Sequence, residues 1–241
     1  MAWLEIRNLR KEYPLEKKTT IALDDFSLSV EKGDFVGIVG RSGSGKTTLL
    51  RLLSGLLKRT SGEIVYRDGE EAKIGMVFQE PRLMPWLTVE KNILFAYLKD
   101  KKKRLPHKQS EALLDLLGLG EYKNAYPSQL SGGMAQRVAL GRALCYEPEL
   151  ILMDEPLGAL DYFTRKALQD EILKLHFLQK KTILFVTHDV EEALTLSRRI
   201  VVLEGGRLIR EIPVDMPYPR RQSDPKFAKT LDLILSLIVG G

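Results

Sequence analysis

The sequence predicts an α/β fold with a mostly parallel central sheet, and two observations indicate it. Several short apolar runs have the pattern of strands that are buried on both faces: residues 35–39, 150–153, 182–186 and 200–203. Helical patterns separate the later runs, from about Asp161 to Leu178 and from Asp189 to Ser197. Because alternating strands and helices place parallel strands side by side, we expect a sheet that is covered by helices on both faces.

Two further parts flank and interrupt this core. Near the N-terminus, spaced apolar residues favour half-buried antiparallel strands: Leu4, Ile6, Leu9, Phe26, Leu28 and Val30. Between about Pro85 and Leu144 the strand pattern gives way to helical periodicity. We therefore predict one domain, in which residues 1–84 and 148–215 form the core with its antiparallel β subdomain. Residues 85–147 would be an inserted helical subdomain, and residues 216–241 a C-terminal extension.

Composition limits where the protein works. The chain has 241 residues, a formal charge of +5 and one cysteine, Cys145, so an internal disulfide is impossible and a reducing compartment is the default. The basic run at residues 101–104 lacks interleaved aromatics, which favours a solvated loop over a nucleic-acid patch. No segment reaches the ~20 apolar residues of a membrane span, and residues 1–5 do not resemble a signal peptide. We expect a cytosolic protein, or one attached to a membrane only through a partner.

The C-terminal extension contains an apolar run from Leu231 to Val239. It is too short to span a bilayer. We expect it to pack against its own domain, with contact to a membrane surface as the alternative.

A glycine-rich run after the first apolar strand has the pattern G-x-x-x-x-G-K-[ST]: Gly40, Arg41, Ser42, Gly43, Ser44, Gly45, Lys46 and Thr47, followed by Thr48. The pattern predicts a helix next, with an apolar face of Leu49, Leu50, Leu52, Leu53, Leu56 and Leu57. Glycines let backbone N–H groups converge on phosphate oxygens, and a helix N-terminus adds partial positive charge. The Lys46 ammonium would form ion pairs with the β- and γ-phosphates, and the Thr47 hydroxyl would bind Mg²⁺. The sequence thus predicts a nucleotide site, with a flexible surface turn as the plain alternative.

Two carboxylates follow the apolar run at residues 150–153, at positions 154 and 155. Side chains at the carboxyl end of a parallel strand point into the crevice where ligands bind such sheets. Asp154 would then hold Mg²⁺, and Glu155 would polarise the attacking water as general base. In the alternative interpretation, Asp154 is a helix N-cap and Glu155 an acid in the first helical turn.

At residues 130–136 the chain, with the letters LSGGMAQ, resembles the signature motif of ATP-binding cassette (ABC) ATPases. Other motifs of that family appear in the family's order: Tyr13 as the residue that stacks on adenine, Gln79 in the Q-loop, residues 159–161 as the D-loop and His188 as the switch histidine. The resemblance extends from Trp3 to about Ile212. It implies the P-loop NTPase fold of ABC ATPases, and ATP hydrolysis assisted by Mg²⁺.

The resemblance also implies a role for a second copy of the chain. In ABC ATPases two cassettes pack head to tail, and each ATP lies between one P-loop and the other cassette's signature motif. Ser131, Gly132 and Gly133 would therefore serve the nucleotide held by the twin, and Asp161 would carry contacts across the dimer. His188 would contact the γ-phosphate, and Gln79 would act at the metal and in catalysis.

Each of these roles has a structural alternative. Ser131 could be only a helix N-cap, and His188 only a residue at a helix N-terminus. Tyr13 could belong to the core. His107 and His176 lie in polar sequence contexts, and we expect both to be solvated.

Residues 79–89, QEPRLMPWLTV, resemble the segment after the Q-loop in importers of nitrate, sulfonates and taurine. In that group a groove here receives a coupling helix of the membrane permease. An exposed apolar cluster around Trp86 would suit this, although Trp86 could instead be core. The resemblance implies an ATPase at the cytoplasmic face of the membrane, working with permease subunits and, indirectly, an extracytoplasmic solute-binding protein. The alternative class is a soluble ABC ATPase that acts on nucleic acid or the ribosome.

Overall fold

The computed structural model describes residues 2–15, 18–67, 72–98, 107–158 and 160–240. The chain divides into two compact units, one formed by Met1–Ala72 with Lys180–Gly241 and the other by Lys73–Gln179. The basic run at residues 101–104 and Ala159 of the predicted D-loop lie outside the described residues. The predicted partition at residues 84, 148 and 215 uses other boundaries and stays a prediction.

The first unit contains an antiparallel sheet of β1 (Leu4–Leu15), β2 (Lys18–Val30) and β4 (Ser61–Tyr66), with β1 in the middle. The spaced apolar residues of β1 and β2 are buried, as the pattern predicted: Leu4, Ile6, Leu9, Phe26, Leu28 and Val30. Strand β4 was not predicted, because its alternating exposed and half-buried residues give a weak apolar signal.

The first unit also contains a sheet segment in the order β7-β3-β8-β9, formed by β3 (Phe35–Val39), β7 (Thr182–Val186), β8 (Arg199–Glu204) and β9 (Arg207–Pro213). Strand β3 is parallel to both β7 and β8, with Ile38 opposite Val186 and Val39 opposite Val202. Every residue of β3 and β7 is buried, which confirms the predicted parallel core. The antiparallel β9, mostly exposed, was missed.

Helix α1 (Lys46–Leu53) follows β3 and buries Leu49, Leu50, Leu52 and Leu53. It is shorter than predicted, because it ends at Leu53 with Ser54 as its C-cap, and Gly55 follows with a φ of 72°. Leu56 is 59% exposed and lies beyond the helix, so its assignment to the helical apolar face was wrong.

The C-terminal part of the first unit packs on β8. Helices α7 (Val190–Leu196) and α8 (Pro225–Val239) share an apolar cluster with the sheet: Val39, Val190, Ala193, Leu194, Ile200, Val202, Ile212, Val214, Met216, Phe227 and Ile234. Leu231, Leu237 and Ile238 pack against this cluster while Leu233, Leu235 and Val239 stay exposed. The extension therefore packs on its own domain, as expected. Among the described residues, no helix has the length and apolar character needed to cross a membrane.

The second unit pairs β5 (Ile74–Val77) in parallel with β6 (Leu150–Asp154) and surrounds them with helices. The predicted helical region contains α2 (Val89–Ile93), α3 (Phe95–Leu98), α4 (His107–Leu116) and α5 (Gly132–Cys145). Helix α6 (Tyr162–Gln179) follows β6 and agrees with the predicted span. The expectation that His176 is solvated was wrong: it lies on the inner face of α6, is 4% exposed and meets the Phe177 ring edge-on.

Candidate functional site

The glycine-rich loop joins the buried strand β3 to helix α1, and two of its glycines are required by close backbone approach. A Cβ on Gly45 would lie 2.3 Å from the Ala22 carbonyl oxygen, and Gly45 has a φ of 105° that disfavours other residues. A Cβ on Gly40 would lie 2.0 Å from the Leu203 carbonyl oxygen. The loop is therefore a fixed turn packed against neighbouring strands, and the interpretation as a flexible surface turn fails.

Lys46 is 6% exposed and folds back along the loop. Its Nζ donates hydrogen bonds to the carbonyl oxygens of Gly40, at 2.8 Å, and Arg41, at 2.9 Å. The ammonium is thereby held over the turn into which the loop's N–H groups are expected to point. The Ser44 Oγ is buried and has no hydrogen-bond partner among the described residues, which suits a loop that accepts an oxygen-rich ligand.

Thr47 and Thr48 occupy the first turn of α1 and are partly exposed, while Arg41, Ser42 and Gly43 are exposed. The first N–H groups of a helix have no partner within the helix, so this end favours anions. The exposed and partly exposed residues of the predicted phosphate loop are thus accessible from outside, while Gly40, Ser44 and Lys46 are buried within the turn.

His188 lies at the same edge of the sheet as the glycine-rich loop. Strands β3 and β7 are parallel and in register at Ile38 and Val186, so the segments that follow both strands leave the same edge. His188 is exposed and precedes α7, whose N-cap is Asp189. The alternative in which His188 itself belongs to the helix is therefore wrong.

The turn that carries His188 is fixed by its neighbours. The buried Thr187 Oγ1 donates to Glu192 Oε2 at 2.8 Å and accepts from the Asp189 N–H at 3.0 Å. Asp189 Oδ1 accepts from the N–H groups of Glu191 and Glu192, at 2.9 and 3.1 Å. These contacts hold the histidine on a rigid support.

Tyr13 lies on β1 opposite Thr20 and is partly exposed. The Lys11 Nζ lies 5.0 Å from the centre of its ring, within the range of a cation–π contact. The alternative that Tyr13 is a core residue is wrong. Its accessible ring leaves the stacking role open as a prediction.

In the second unit, Asp154 is the last residue of β6 and is 7% exposed. Glu155 follows with a φ of 46°, a conformation that costs energy for a residue with a side chain and is common at functional sites. The next helix begins only at Tyr162, so the alternative roles of Asp154 as N-cap and Glu155 as first-turn acid are wrong.

Gln79 is exposed beyond the end of β5, the strand paired with β6. A Cβ placed on Gly158 would lie 3.9 Å from both Gln79 Nε2 and Glu155 Oε2. The two side chains thus converge beside Gly158, at the edge of the sheet where Asp154 ends its strand. Sequence reasoning placed these residues in one site, and the second unit brings them together.

The glycines at residues 132 and 133 begin helix α5, and Ser131 is its N-cap. The Ser131 Oγ accepts from the Met134 N–H at 3.3 Å, so the capping alternative is correct as a structural role. Ser131 and Gly132 are exposed, whereas Gly133 is buried beside Thr164 of α6. Asp161 caps α6 nearby: its Oδ1 accepts from the N–H groups of Phe163 and Thr164, both at 3.1 Å.

Two polar side chains that were not predicted from the sequence form hydrogen bonds to the backbone of residues 79–89. Asn92, fully buried, donates to the carbonyl oxygens of Met84, Leu87 and Thr88 at 3.0–3.1 Å, and its Oδ1 accepts from the Met84 N–H at 2.8 Å. The Arg142 guanidinium donates to the carbonyl oxygens of Pro81, at 2.7 Å, and Arg82, at 2.8 Å.

Trp86 projects from this braced segment and is 70% exposed, so the alternative that it belongs to the core is wrong. Neither Asn92 nor Arg142 gave a local signal, because their partners are backbone carbonyls. The position of Glu192 in the first part of α7, next to the turn with His188, could have been predicted from the sequence. An Asp followed three positions later by Glu, as at residues 189 and 192, is typical of a helix N-terminus.

A glycine-rich loop between a buried parallel strand and a helix, with a lysine folded over it, defines a P-loop NTPase. The ABC transporter family model matches residues 23–158. The chain is 41% identical over 239 residues to the aliphatic sulfonates import ATP-binding protein SsuB of Bacillus cereus, covering 96% of this chain and 94% of that protein. It is 42% identical over 243 residues to the uncharacterized ABC transporter ATP-binding protein MJ0412 of Methanocaldococcus jannaschii, covering 98% and 91%.

Solved structures agree with these relatives. The ATP-binding cassette MJ0796, in a dimeric post-hydrolysis state bound to ADP and Pi, superposes with a TM-score of 0.79 and 32% identity, covering 89% of this chain and 100% of that one. A second dimeric structure of MJ0796 gives a TM-score of 0.77 at 34% identity. The chain belongs to the ABC transporter family, as an ATP-binding cassette that hydrolyses ATP.

Proposed function

We propose that the chain is the ATP-hydrolysing subunit of an ABC importer for a small solute of the sulfonate, taurine or nitrate kind. The observation that carries the importer assignment is the identity of 41% to SsuB proteins over nearly the full length of both chains. The resemblance of residues 79–89 to that group agrees with this assignment. The solute does not contact this subunit, so its class follows from the relatives alone.

The two parts of the catalytic site would meet only when two copies of the chain associate head to tail. Lys46 and the surrounding loop would bind ATP in one copy, with Tyr13 beside the adenine. Ser131 and the Gly133 N–H of the other copy would contact its γ-phosphate, and Asp161 would carry contacts across the interface. The exposed Ser131 and Gly132 at the N-terminus of α5 support this role, because the N-terminus of a helix favours an anion.

Mg²⁺ would be held by the Thr47 hydroxyl, the Asp154 carboxylate and the Gln79 amide together with phosphate oxygens. These are all oxygen donors, which Mg²⁺ prefers, and such sites commonly use only one or two carboxylates. The ion would neutralise charge on the phosphates.

For hydrolysis, the Glu155 carboxylate would accept a proton from the attacking water as it approaches the γ-phosphate. His188 would donate a hydrogen bond to a γ-phosphate oxygen, and Gln79 would help to orient the water beside Glu155. Closure of the dimer on ATP and reopening after hydrolysis would supply the movement for transport.

The segment of residues 79–89 would contact a coupling helix of a separate permease subunit and place the protein at the cytoplasmic face of the membrane. An extracytoplasmic solute-binding protein would deliver the solute to that permease. The exposed Trp86 on a segment that Asn92 and Arg142 hold in place supports this contact, because an exposed apolar group on a fixed support suits a protein interface. A soluble ATPase acting on nucleic acid or the ribosome is less well supported, because the relatives of this chain include import proteins.

The Glu155→Gln variant tests the catalytic assignment. We expect hydrolysis to fall at least about a hundredfold, because a general base contributes about 10²–10⁴-fold. The variant should also elute as a dimer in the presence of ATP on a sizing column. Glu149→Gln, at the opposite end of β6, is the matched control and should retain activity. Full hydrolysis by Glu155→Gln would refute the assignment.

The Trp86→Ala variant tests the importer assignment in proteoliposomes that contain the permease. We expect basal ATPase activity to remain, and stimulation by the permease with uptake of a labelled alkanesulfonate, taurine or nitrate to be lost. Leu56→Ala, which removes an exposed apolar side chain elsewhere, is the control. An ATPase stimulated by RNA or DNA, with a steep dependence on salt, would instead favour the nucleic-acid alternative.

A further inference from the structure

An arginine of the C-terminal extension caps the C-terminal end of helix α7. Arg220 is 9% exposed, and its guanidinium donates to the carbonyl oxygens of Leu194 at 2.6 Å, Met216 at 3.2 Å and Val214 at 3.2 Å. It also donates to the Ser197 carbonyl oxygen. Leu194 lies in the last turn of α7, and Ser197 is its C-cap.

The environment explains why a buried cation is stable here. The last carbonyl groups of a helix have no partner within it and carry partial negative charge, so a cation at that end is favourable. The planar guanidinium can donate in several directions at once, which an ammonium group cannot do in the same geometry. Burial lowers the pKa of Arg220, while four backbone carbonyl oxygens accept hydrogen bonds from its guanidinium.

Tyr218 completes the clamp. The Arg220 guanidinium carbon lies 4.1 Å from the centre of the Tyr218 ring, and the Tyr218 hydroxyl donates to the Leu196 carbonyl oxygen at 2.7 Å. Arg220 and Tyr218 together bind the carbonyl groups of three positions at the end of α7. We refer to these two side chains as the α7 clamp.

The opposite end of α7 carries His188. Helix α7 has only seven residues, and a helix so short depends on tertiary contacts for its stability. Asp189 caps its first turn, and the Thr187 hydroxyl donates a hydrogen bond to the Glu192 carboxylate in that turn. Its middle packs closely on β3: a Cβ on Gly37 would lie 3.3 Å from the Ala193 Cβ and 2.5 Å from the Ser197 Oγ. The turn with His188 and the α7 clamp are thus two ends of one short, rigid element.

We propose that Arg220 is a positioning residue for ATP hydrolysis, which sets the orientation of His188 through α7. This inference rests on the proposed contact of His188 with the γ-phosphate. Without the clamp, the last turn of α7 loses its carbonyl partners and the helix shifts on β3. His188 then no longer meets the γ-phosphate in the productive geometry, while the P-loop continues to bind ATP. The C-terminal extension thereby takes part in the reaction without contacting the nucleotide.

The test measures kcat, KM for ATP and thermal stability in Arg220→Lys, Arg220→Met and Tyr218→Phe, with exposed Arg221→Met as the control for charge and position. All assays are run at a temperature well below the thermal unfolding midpoint of the least stable variant. If Arg220→Met does not fold, Arg220→Lys and Tyr218→Phe provide the test. We expect kcat to fall by about tenfold to a hundredfold in the Arg220 variants, because small misplacement of a catalytic group has effects of that size. KM should change less than about twofold, because the P-loop is unaffected.

Combination with His188→Ala separates positioning from general stabilisation. If Arg220 acts through His188, adding Arg220→Lys to His188→Ala should not lower kcat further. Independent, multiplying effects on kcat, or a wild-type kcat in folded Arg220→Lys and Arg220→Met, would overturn the proposal. A wild-type kcat in His188→Ala alone would instead remove the proposed role of His188, and the two failures are therefore distinguishable.

Discussion

The Thr164 side chain fills the space where any side chain at position 133 would have to lie. A Cβ on Gly133 would fall 2.0 Å from the Thr164 Cγ2. Gly133 is the second residue of helix α5, and Thr164 lies in the first turn of α6, three residues after Asp161. The proposed contact points of Ser131, Gly133 and Asp161 with a second copy therefore rest on two helix ends that are packed directly together.

This contact predicts that Gly133→Ala is destabilising and Gly132→Ala is not. At Gly132 an added Cβ meets nothing within 4 Å, so alanine should keep or raise stability, by up to about 1 kcal/mol from its higher helix propensity. At Gly133 the added methyl must displace Thr164, which should cost about 1–3 kcal/mol. Urea unfolding of both variants, followed by circular dichroism, gives the comparison.

The double change Gly133→Ala with Thr164→Ser serves as the control, because serine lacks the γ-methyl that the new Cβ would meet. It should recover a substantial part of the lost stability. Equal unfolding free energies for Gly132→Ala and Gly133→Ala would contradict the packing described for these helix ends.

Asn92→Ala should loosen the segment that carries Trp86. The change removes hydrogen bonds to Met84, Leu87 and Thr88 and leaves their carbonyl oxygens without that donor. We expect a loss of about 2–4 kcal/mol, because each buried hydrogen bond contributes about 0.5–1.5 kcal/mol and unpaired groups add a penalty. In a Trp3→Phe background, Trp86 is the remaining tryptophan, and its fluorescence anisotropy should fall.

Asn124→Ala is the matched control, since Asn124 is exposed in the same unit. Neither its stability nor its Trp86 anisotropy should change. An Asn92→Ala protein with the anisotropy of the parent would mean that the segment holds its shape without Asn92.

Asp161 should stabilise the protein in a pH-dependent manner. Hydrogen bonds from Thr164 hold the pKa of the Asp161 carboxyl below its usual value. A group with a lowered folded-state pKa adds stability above its unfolded pKa, and this stability is lost as the pH falls through the lowered value. Asp161→Ala should therefore lower the urea midpoint at pH 7, and this difference should shrink in strong acid.

Asp170→Ala provides the comparison on the same helix, because Asp170 is exposed and is not the N-cap of α6. It should have a smaller effect at pH 7. A difference between Asp161→Ala and wild type that persists unchanged into strong acid would show that the cap does not depend on the carboxylate charge.

Much of the fold was predictable because local patterns reflect it directly. The runs that became β3, β6 and β7 are wholly buried, and continuous apolar sequence is the signal of such strands. Strands β4 and β9 were missed because β4 alternates exposed with half-buried residues and β9 is mostly exposed, so neither contains a continuous apolar run. Helix α1 was predicted too long, because Leu56 and Leu57 continue the apolar pattern past the turn at Gly55.

The sequence by itself determined which candidate groups lie together in contiguous residues. The predicted phosphate loop around Lys46 and the carboxylates Asp154 and Glu155 can be found because spacing along the chain fixes which groups share one turn or one strand end, and the motif at Ser131 was found by its resemblance to the family. Family membership followed from the same residues and was confirmed by the comparisons.

Only the tertiary structure decided which side chains support that chemistry. The exposure of Trp86, the burial of His176, the contact of Gly133 with Thr164 and the carbonyl partners of Arg220 all depend on residues far apart in sequence. The physical reason is that a backbone carbonyl is the same at every position, so a side chain that binds one leaves no pattern in its partner's sequence. Close packing between distant elements is likewise invisible until the elements are placed in space.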